Sequence, residues 1–202
     1  MFYEPAKGHG LPHDPSKAIV SPRPVGWIST VSASGALNLA PYSFFNMVSS
    51  KPFLVWFSSE GEKDSVTFAR ETGEFVANLA GRDLVAKMVA SSVDAPRGTS
   101  EFGYAELTPE PSRLVKPPRV KEALAALECK VTEIMTPKTW SNAECESVIV
   151  AGEVIGVFID DSVLVDGRFD VVKAGNVARL GYFDYLTVES VFPMRRPRWK
   201  AD

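Results

Sequence analysis

This sequence of 202 residues is poor in the side chains that most acid–base and metal chemistry uses. It has two histidines, His9 and His13, both near the N-terminus, and no Cys/His cluster with zinc-ligand spacing. Its two cysteines, Cys129 and Cys145, form no CxxC pair and no disulfide framework, so a reducing cytoplasm is the expected compartment. No GxSxG elbow, GxxxxGKS/T phosphate loop or GxGxxG turn occurs. A histidine-based hydrolase and a Rossmann dehydrogenase are thereby disfavoured. No stretch approaches the ~18 apolar residues of a membrane span, and the N-terminus lacks a basic region followed by an apolar run. Charge of one sign is lacking too: 22 basic against 25 acidic residues leave −3. Neither a nucleic acid nor an anionic membrane is an expected partner.

What is present fits one domain spanning residues 1–202. A chain of this size buries roughly 70% of its unfolded surface and needs no staple to fold. Residues 1–24 carry five prolines and two glycines and read as an extended surface arm. Val25–Val31 is a strand candidate, Ser34-Gly35 a turn, and Leu37–Ala40 a return strand. The apolar run Phe53–Ser58 reads as a buried strand, and Phe75–Leu79 as another. Between them, Ser65–Thr72 reads as a short helix with Asp64 as N-cap and Gly73 just past its end. Asp83–Ser91 repeats that logic, with Leu84/Met88 and Val85/Val89 four apart. Residues 94–119 are rich in proline and glycine and read as an irregular loop, a lid or a dimer arm. Strands are expected at Leu127–Ile134, at Ser147–Ile159 with breaks at Gly152 and Gly156, and at Thr187–Phe192. The fold class expected is mainly β: a β-barrel with short helices.

Three segments carry candidate chemistry, each with a plainer alternative. Gly61-Glu62-Lys63-Asp64-Ser65 opens a helix, where backbone N–H groups, an ammonium and a hydroxyl make a phosphate cradle. Alternatively, Asp64 only caps the helix and Lys63 is solvated. Asn38 through Pro52 mixes aromatic and small polar residues, which suits a flat heteroaromatic ring or a hairpin strand running into a polar loop. In Val177–Tyr185, Arg179 stands beside glycine and three aromatics, lining a ligand mouth or pairing with Asp184. The basic tail Arg195–Lys200 reads as a solvated or dimer-packed terminus.

Taken in order, these segments resemble the flavin reductase-like family of FMN-binding split barrels over almost the whole chain. The resemblance rests on Gly8-His9-Gly10-Leu11-Pro12-His13-Asp14-Pro15, Pro22–Val31 and Asn38–Asn46. It continues through Lys63-Asp64-Ser65, Glu74–Leu79, and Ala178-Arg179-Leu180-Gly181 with Tyr185. Tyr182 departs from it, standing where a second glycine is usual. The resemblance implies a homodimer with one FMN per subunit in a groove near the dimer interface. It implies that Thr30 and Tyr42 to Asn46 meet the flavin, that Lys63 and Ser65 hold its phosphate, and that Arg179 approaches from the C-terminal segment. The cofactor-binding candidates are Thr30, Pro41, Tyr42, Ser43, Phe44, Asn46, Ser49, Lys63, Asp64, Ser65 and Arg179. NADH or NADPH is the implied co-substrate, and a partner monooxygenase or another acceptor the implied recipient of electrons. No catalytic side chain is expected, because the flavin carries the hydride step. The alternatives are an FMN-binding protein without nicotinamide-dependent turnover and a split barrel holding another ligand.

Overall fold

The computed structural model describes residues 1–96 and 99–199. In chain order its elements are α1 (Ser16–Ile19), β1 (Arg23–Pro24), β2 (Gly26–Val31), β3 (Leu37–Tyr42), β4 (Phe45–Ser50) and β5 (Phe53–Glu60). Next come α2 (Asp64–Thr72), β6 (Glu74–Leu79), α3 (Val85–Ala90), α4 (Glu101–Tyr104), β7 (Pro109–Glu110) and β8 (Arg119–Val120). The chain continues with β9 (Ala125–Met135), β10 (Ser147–Ile159), β11 (Leu164–Val165), β12 (Arg168–Phe169), α5 (Val171–Ala174), β13 (Val177–Arg179) and β14 (Tyr185–Thr187). No helix among the described residues is long and apolar enough to cross a membrane.

Seven antiparallel strands form the main sheet in the order β3-β2-β6-β9-β10-β5-β4. Its two edge strands, β3 and β4, are separated in sequence only by Ser43 and Phe44. Three peptide steps reach roughly 11 Å at full extension. A flat seven-stranded sheet would hold its edges about 29 Å apart. The sheet therefore curls until its edges come together. Across the gap, the Phe45 ring lies over Gly26 so closely that a Cβ there would meet it at 2.4 Å. Tyr42 of β3 stacks obliquely on Phe57 of β5, with ring centroids 4.9 Å apart.

Curling divides the buried apolar residues between two large cores, with a smaller cluster of Val76, Val115 and Ala126 beside them. Ile28, Val55, Phe57, Phe75, Cys129 and Val150 fill the barrel, and α2 adds Val66 and Ala69. Trp27 and Leu39 point the other way, into a core shared with Met88 of α3, Phe102 of α4 and Val120 of β8. Alternation with period two thus buries β2 on both faces.

The strand expected at Ser147–Ile159 forms with those limits, and its ladder to β9 shifts register between Ala151 and Gly152 and between Val154 and Gly156. Five expectations need correction. The arm over residues 1–24 is not wholly extended, since local i→i+3 and i→i+4 hydrogen bonds form a 3₁₀ turn at Pro5–Lys7 and α1. Asp64 is the first residue of α2, with Lys63 in the capping position and no side-chain cap bond; Gly73 ends the helix in the left-handed conformation (φ 70°) as expected. The helix expected over Asp83–Ser91 begins as a 3₁₀ turn, Arg82–Leu84, before α3. The segment 94–119 is not wholly irregular, since it contains α4, β7 and the start of β8. The last strand is β14, not Thr187–Phe192, because its partner β13 offers only three residues to pair with.

The Gly26–Phe45 contact yields a test of the closure. Gly26→Ala forces the ring aside and should cost about 1–3 kcal/mol. A fall in melting temperature of several degrees, read by thermal denaturation, is the expected outcome.

Candidate functional site

The site begins with one buried amide. Asn38 on β3 is 5% exposed, and its Nδ2 donates to Thr30 Oγ1 on β2 (3.1 Å) and to Ser65 Oγ on α2 (2.8 Å). This amide fixes the start of α2 against the open edge of the barrel. Both hydroxyls accept from Asn38, which leaves their protons to be donated elsewhere.

The outward edge of β3 is muted. Leu39 N–H turns away from β2 and donates to Glu101 Oε2 on α4 (2.9 Å). By strand alternation the next outward position is Pro41, which has no N–H to offer. The edge therefore recruits no further strand and serves instead as one wall of a cleft.

That cleft, of about 430 Å³, is lined by Asn38, Pro41 and Tyr42 of β3, by Lys63, Asp64 and Ser65 at the start of α2, by residues 91–95, and by Glu101. A smaller hollow of about 160 Å³ continues from it along Ser43, Phe44, Ser58, Glu60 and Lys17, sharing Pro41, Tyr42 and Lys63. Burial, reinforced by the charge of Asp64, raises the Glu101 carboxyl above its ordinary range, although the Leu39 N–H opposes this. Burial likewise raises the Tyr42 phenol. Lys63 reaches to 4.0 Å from Asp94, an ion pair open to solvent and worth little. The donor set is mixed. An ammonium, hydroxyls and a helix start suit a phosphate, while carboxylates suit hydroxyl groups such as those of a polyol chain. Among the described residues, no group of three or more His, Cys, Asp and Glu side chains could hold a metal ion.

With this geometry in view, residues 20–173 match the model of the flavin reductase like domain. The chain belongs to the flavin reductase-like domain family. An uncharacterized protein of Aquifex aeolicus is 34% identical over 169 residues, which are 81% of this chain and 83% of the relative. The structure of nitrilotriacetate monooxygenase component B from Bacillus cereus superposes with a TM-score of 0.86 at 27% identity, covering 96% of this chain and 98% of that one. A protein with a split barrel domain from Shewanella frigidimarina gives a TM-score of 0.80 at 22% identity, over 90% of each chain; that likeness is one of fold. The curled sheet is thus the family's split barrel.

Of the candidates, Pro41, Tyr42, Ser43, Phe44, Lys63, Asp64 and Ser65 gather around the two joined hollows. Thr30 is fully buried behind them and is linked to them through Asn38. Asn46 lies in a neighbouring hollow of about 550 Å³ with Ser43, Phe44, Arg23 and Trp56, and its Oδ1 accepts from Met47 N–H. Ser49 accepts from Lys51 N–H at 3.3 Å and lines none of these hollows. Arg179 packs on the Tyr185 ring (4.3 Å) and donates to Tyr182 O (2.6 Å), beyond the segment that matches the family model. It does not ion-pair with Asp184 among the described contacts, so its partner is a carbonyl.

Sequence reasoning missed three residues. Asn38 was legible only as part of a mixed polar segment. Glu101 meets Leu39 across 62 residues of chain, a distance that no local pattern reports. Arg23 is 7% exposed, with its guanidinium bonded to the carbonyls of Lys17, Val20 and Leu180. It ties the N-terminal arm to the C-terminal segment.

Glu101 gives a pH test. A carboxyl whose pKa is raised on folding holds more protons in the folded state, so stability falls as pH rises from the ordinary carboxylate range through the folded pKa. Glu101→Gln keeps an oxygen for Leu39 N–H and removes the charge. The variant should melt higher than the wild type at neutral pH, and the gap should close as the pH is lowered. Thermal denaturation across that range checks it; a variant less stable at neutral pH contradicts the account.

Proposed function

We propose that this protein binds FMN and acts as an NAD(P)H-dependent flavin reductase, or as the reductase component that supplies reduced flavin to a partner oxygenase. The observation that carries this reading is the opening of the α2 start, with Lys63, Asp64 and Ser65, onto a groove walled by the β3 edge. In that reading Lys63 and Ser65 hold the phosphate, and the carboxylate of Glu101 offers acceptors to the ribityl hydroxyls. Pro41, Tyr42, Ser43 and Phe44 border the flavin ring. Thr30 acts through Asn38, while Asn46, Ser49 and Arg179 stand at the margins.

When bound, FMN supplies two-electron chemistry by taking hydride from NADH or NADPH. The chain's residues have the tasks of binding, orienting and excluding water, which matches the lack of histidine at the groove. The likeness to nitrilotriacetate monooxygenase component B, whose name makes it one component of a monooxygenase, supports a partner oxygenase as acceptor. A homodimer belongs to the same reading, supported by exposed apolar side chains on neighbouring strands: Met47 and Val48 of β4, Trp56 of β5, and Ile155 and Val157 of β10. A cytoplasmic location is supported by two cysteines that are both unpaired.

A charge-assisted hydrogen bond contributes roughly 1.5–3 kcal/mol, so Lys63→Ala should weaken FMN about 10- to 150-fold in a fluorescence titration. Unchanged affinity removes Lys63 from the site. Anaerobic mixing of the FMN-loaded protein with NADH and with NADPH should bleach the flavin absorption. Bound FMN that neither nucleotide bleaches contradicts the reductase half of the proposal.

A further inference from the structure

Among the described residues Tyr182 is the one aromatic side chain with a left-handed backbone, at φ 56°. Glycine adopts that conformation freely and a bulky residue resists it. A strained aromatic residue kept in an exposed turn calls for a role for its ring. Tyr182 is 51% exposed, and its neighbour Phe183 is 91% exposed.

The turn is rigidly placed. Asp184 N–H closes it onto Gly181 O (3.1 Å), and Arg179 donates to Tyr182 O. Gly181 lies so close to α1 that a Cβ on it would sit 2.4 Å from the Ala18 side chain. Arg23, bonded to the carbonyls of Lys17, Val20 and Leu180, clamps the same two segments together. This clamp sets the His13 ring edge-on to Tyr182, with centroids 6.0 Å apart. Between the arm and the turn lies a cavity of about 550 Å³, walled by Pro12, His13, Tyr182 and Phe183 and bordered by Lys17 and Asp14. Lys17 also lines the hollow of Tyr42, Ser43 and Phe44, so the cavity adjoins the proposed flavin groove. All of its residues fall outside the segment 20–173 that matches the family model.

We propose that this cavity is a second binding subsite, which takes a planar aromatic molecule carrying an anionic group. The rings of Tyr182, Phe183 and His13 offer faces and edges for stacking, and Lys17 supplies the cation at the rim. Asp14 accepts from Ser16 N–H, which turns its charge towards its own backbone. Glu60, 3.6 Å from Lys17, is an exposed partner that an incoming anion can displace. The subsite's position beside a flavin rests on the function proposed above; the binding itself does not.

The test uses the full chain, with and without FMN, and anthraquinone-2-sulfonate as the probe in calorimetric titration. The wild type should bind the probe. Tyr182→Gly relaxes the turn, so it should fold with an unchanged or higher melting temperature and bind the probe at least tenfold more weakly. Phe183→Ala and Lys17→Ala should each weaken it severalfold. Tyr182→Gly should leave FMN affinity unchanged. A wild type that does not bind the probe, or equal affinity in the wild type and in both aromatic variants, overturns the subsite. If FMN fails to bind while the probe binds and is lost in Tyr182→Gly, the flavin reading falls and the subsite stands.

Discussion

The structure depends on one constraint: the strands at opposite edges of a seven-stranded sheet are joined by two residues. Ser43 and Phe44 can make that connection only if the sheet rolls up, so closure is imposed by chain length before packing improves it. Phe45 over Gly26 and Tyr42 against Phe57 then fill the seam. No ladder crosses the seam in the strand order, which leaves the β3 edge available to something other than a strand. Glu101 and Pro41 keep that edge from pairing with another chain.

The same constraint builds the groove. Rolling the sheet brings β3 beside α2, and Asn38 makes the junction specific by bonding both Thr30 and Ser65. A buried amide with two good acceptors tolerates little displacement, because separating it from either leaves a polar group unpaired. The helix start is thereby held open towards solvent, with Lys63 at its lip. The cleft's carboxylates work against a phosphate and in favour of hydroxyl groups.

Much of the fold was legible in the sequence, and the successes share a cause. Ser147–Ile159 has a continuous apolar pattern broken by two glycines, and those glycines stand where the β9–β10 ladder slips. The Ser65–Thr72 helix and its terminal Gly73 follow from local chemistry. What was not legible depends on distant partners. β14 stops at Thr187 because β13 is short, although Val188 to Phe192 would pass for a strand by composition. Glu101, in a segment that reads as loop, becomes part of the site only through Leu39. The segment Lys63-Asp64-Ser65 was legible as a helix start facing a ligand or as an ordinary cap, and only the fold shows that a groove lies beside it. Tyr182 was visible as a departure from the pattern the sequence resembles, but its left-handed backbone is a feature that only the fold supplies.

The central claim is that this groove holds a flavin by its phosphate end as well as by its ring. Parallel titrations of the flavin-free protein with FMN and with riboflavin, followed by flavin fluorescence, test it most directly. The account predicts one FMN per chain, with riboflavin bound at least tenfold more weakly, as expected when a charge-assisted contact of roughly 1.5–3 kcal/mol is lost. Equal affinity for the two flavins, or binding of neither, would contradict it.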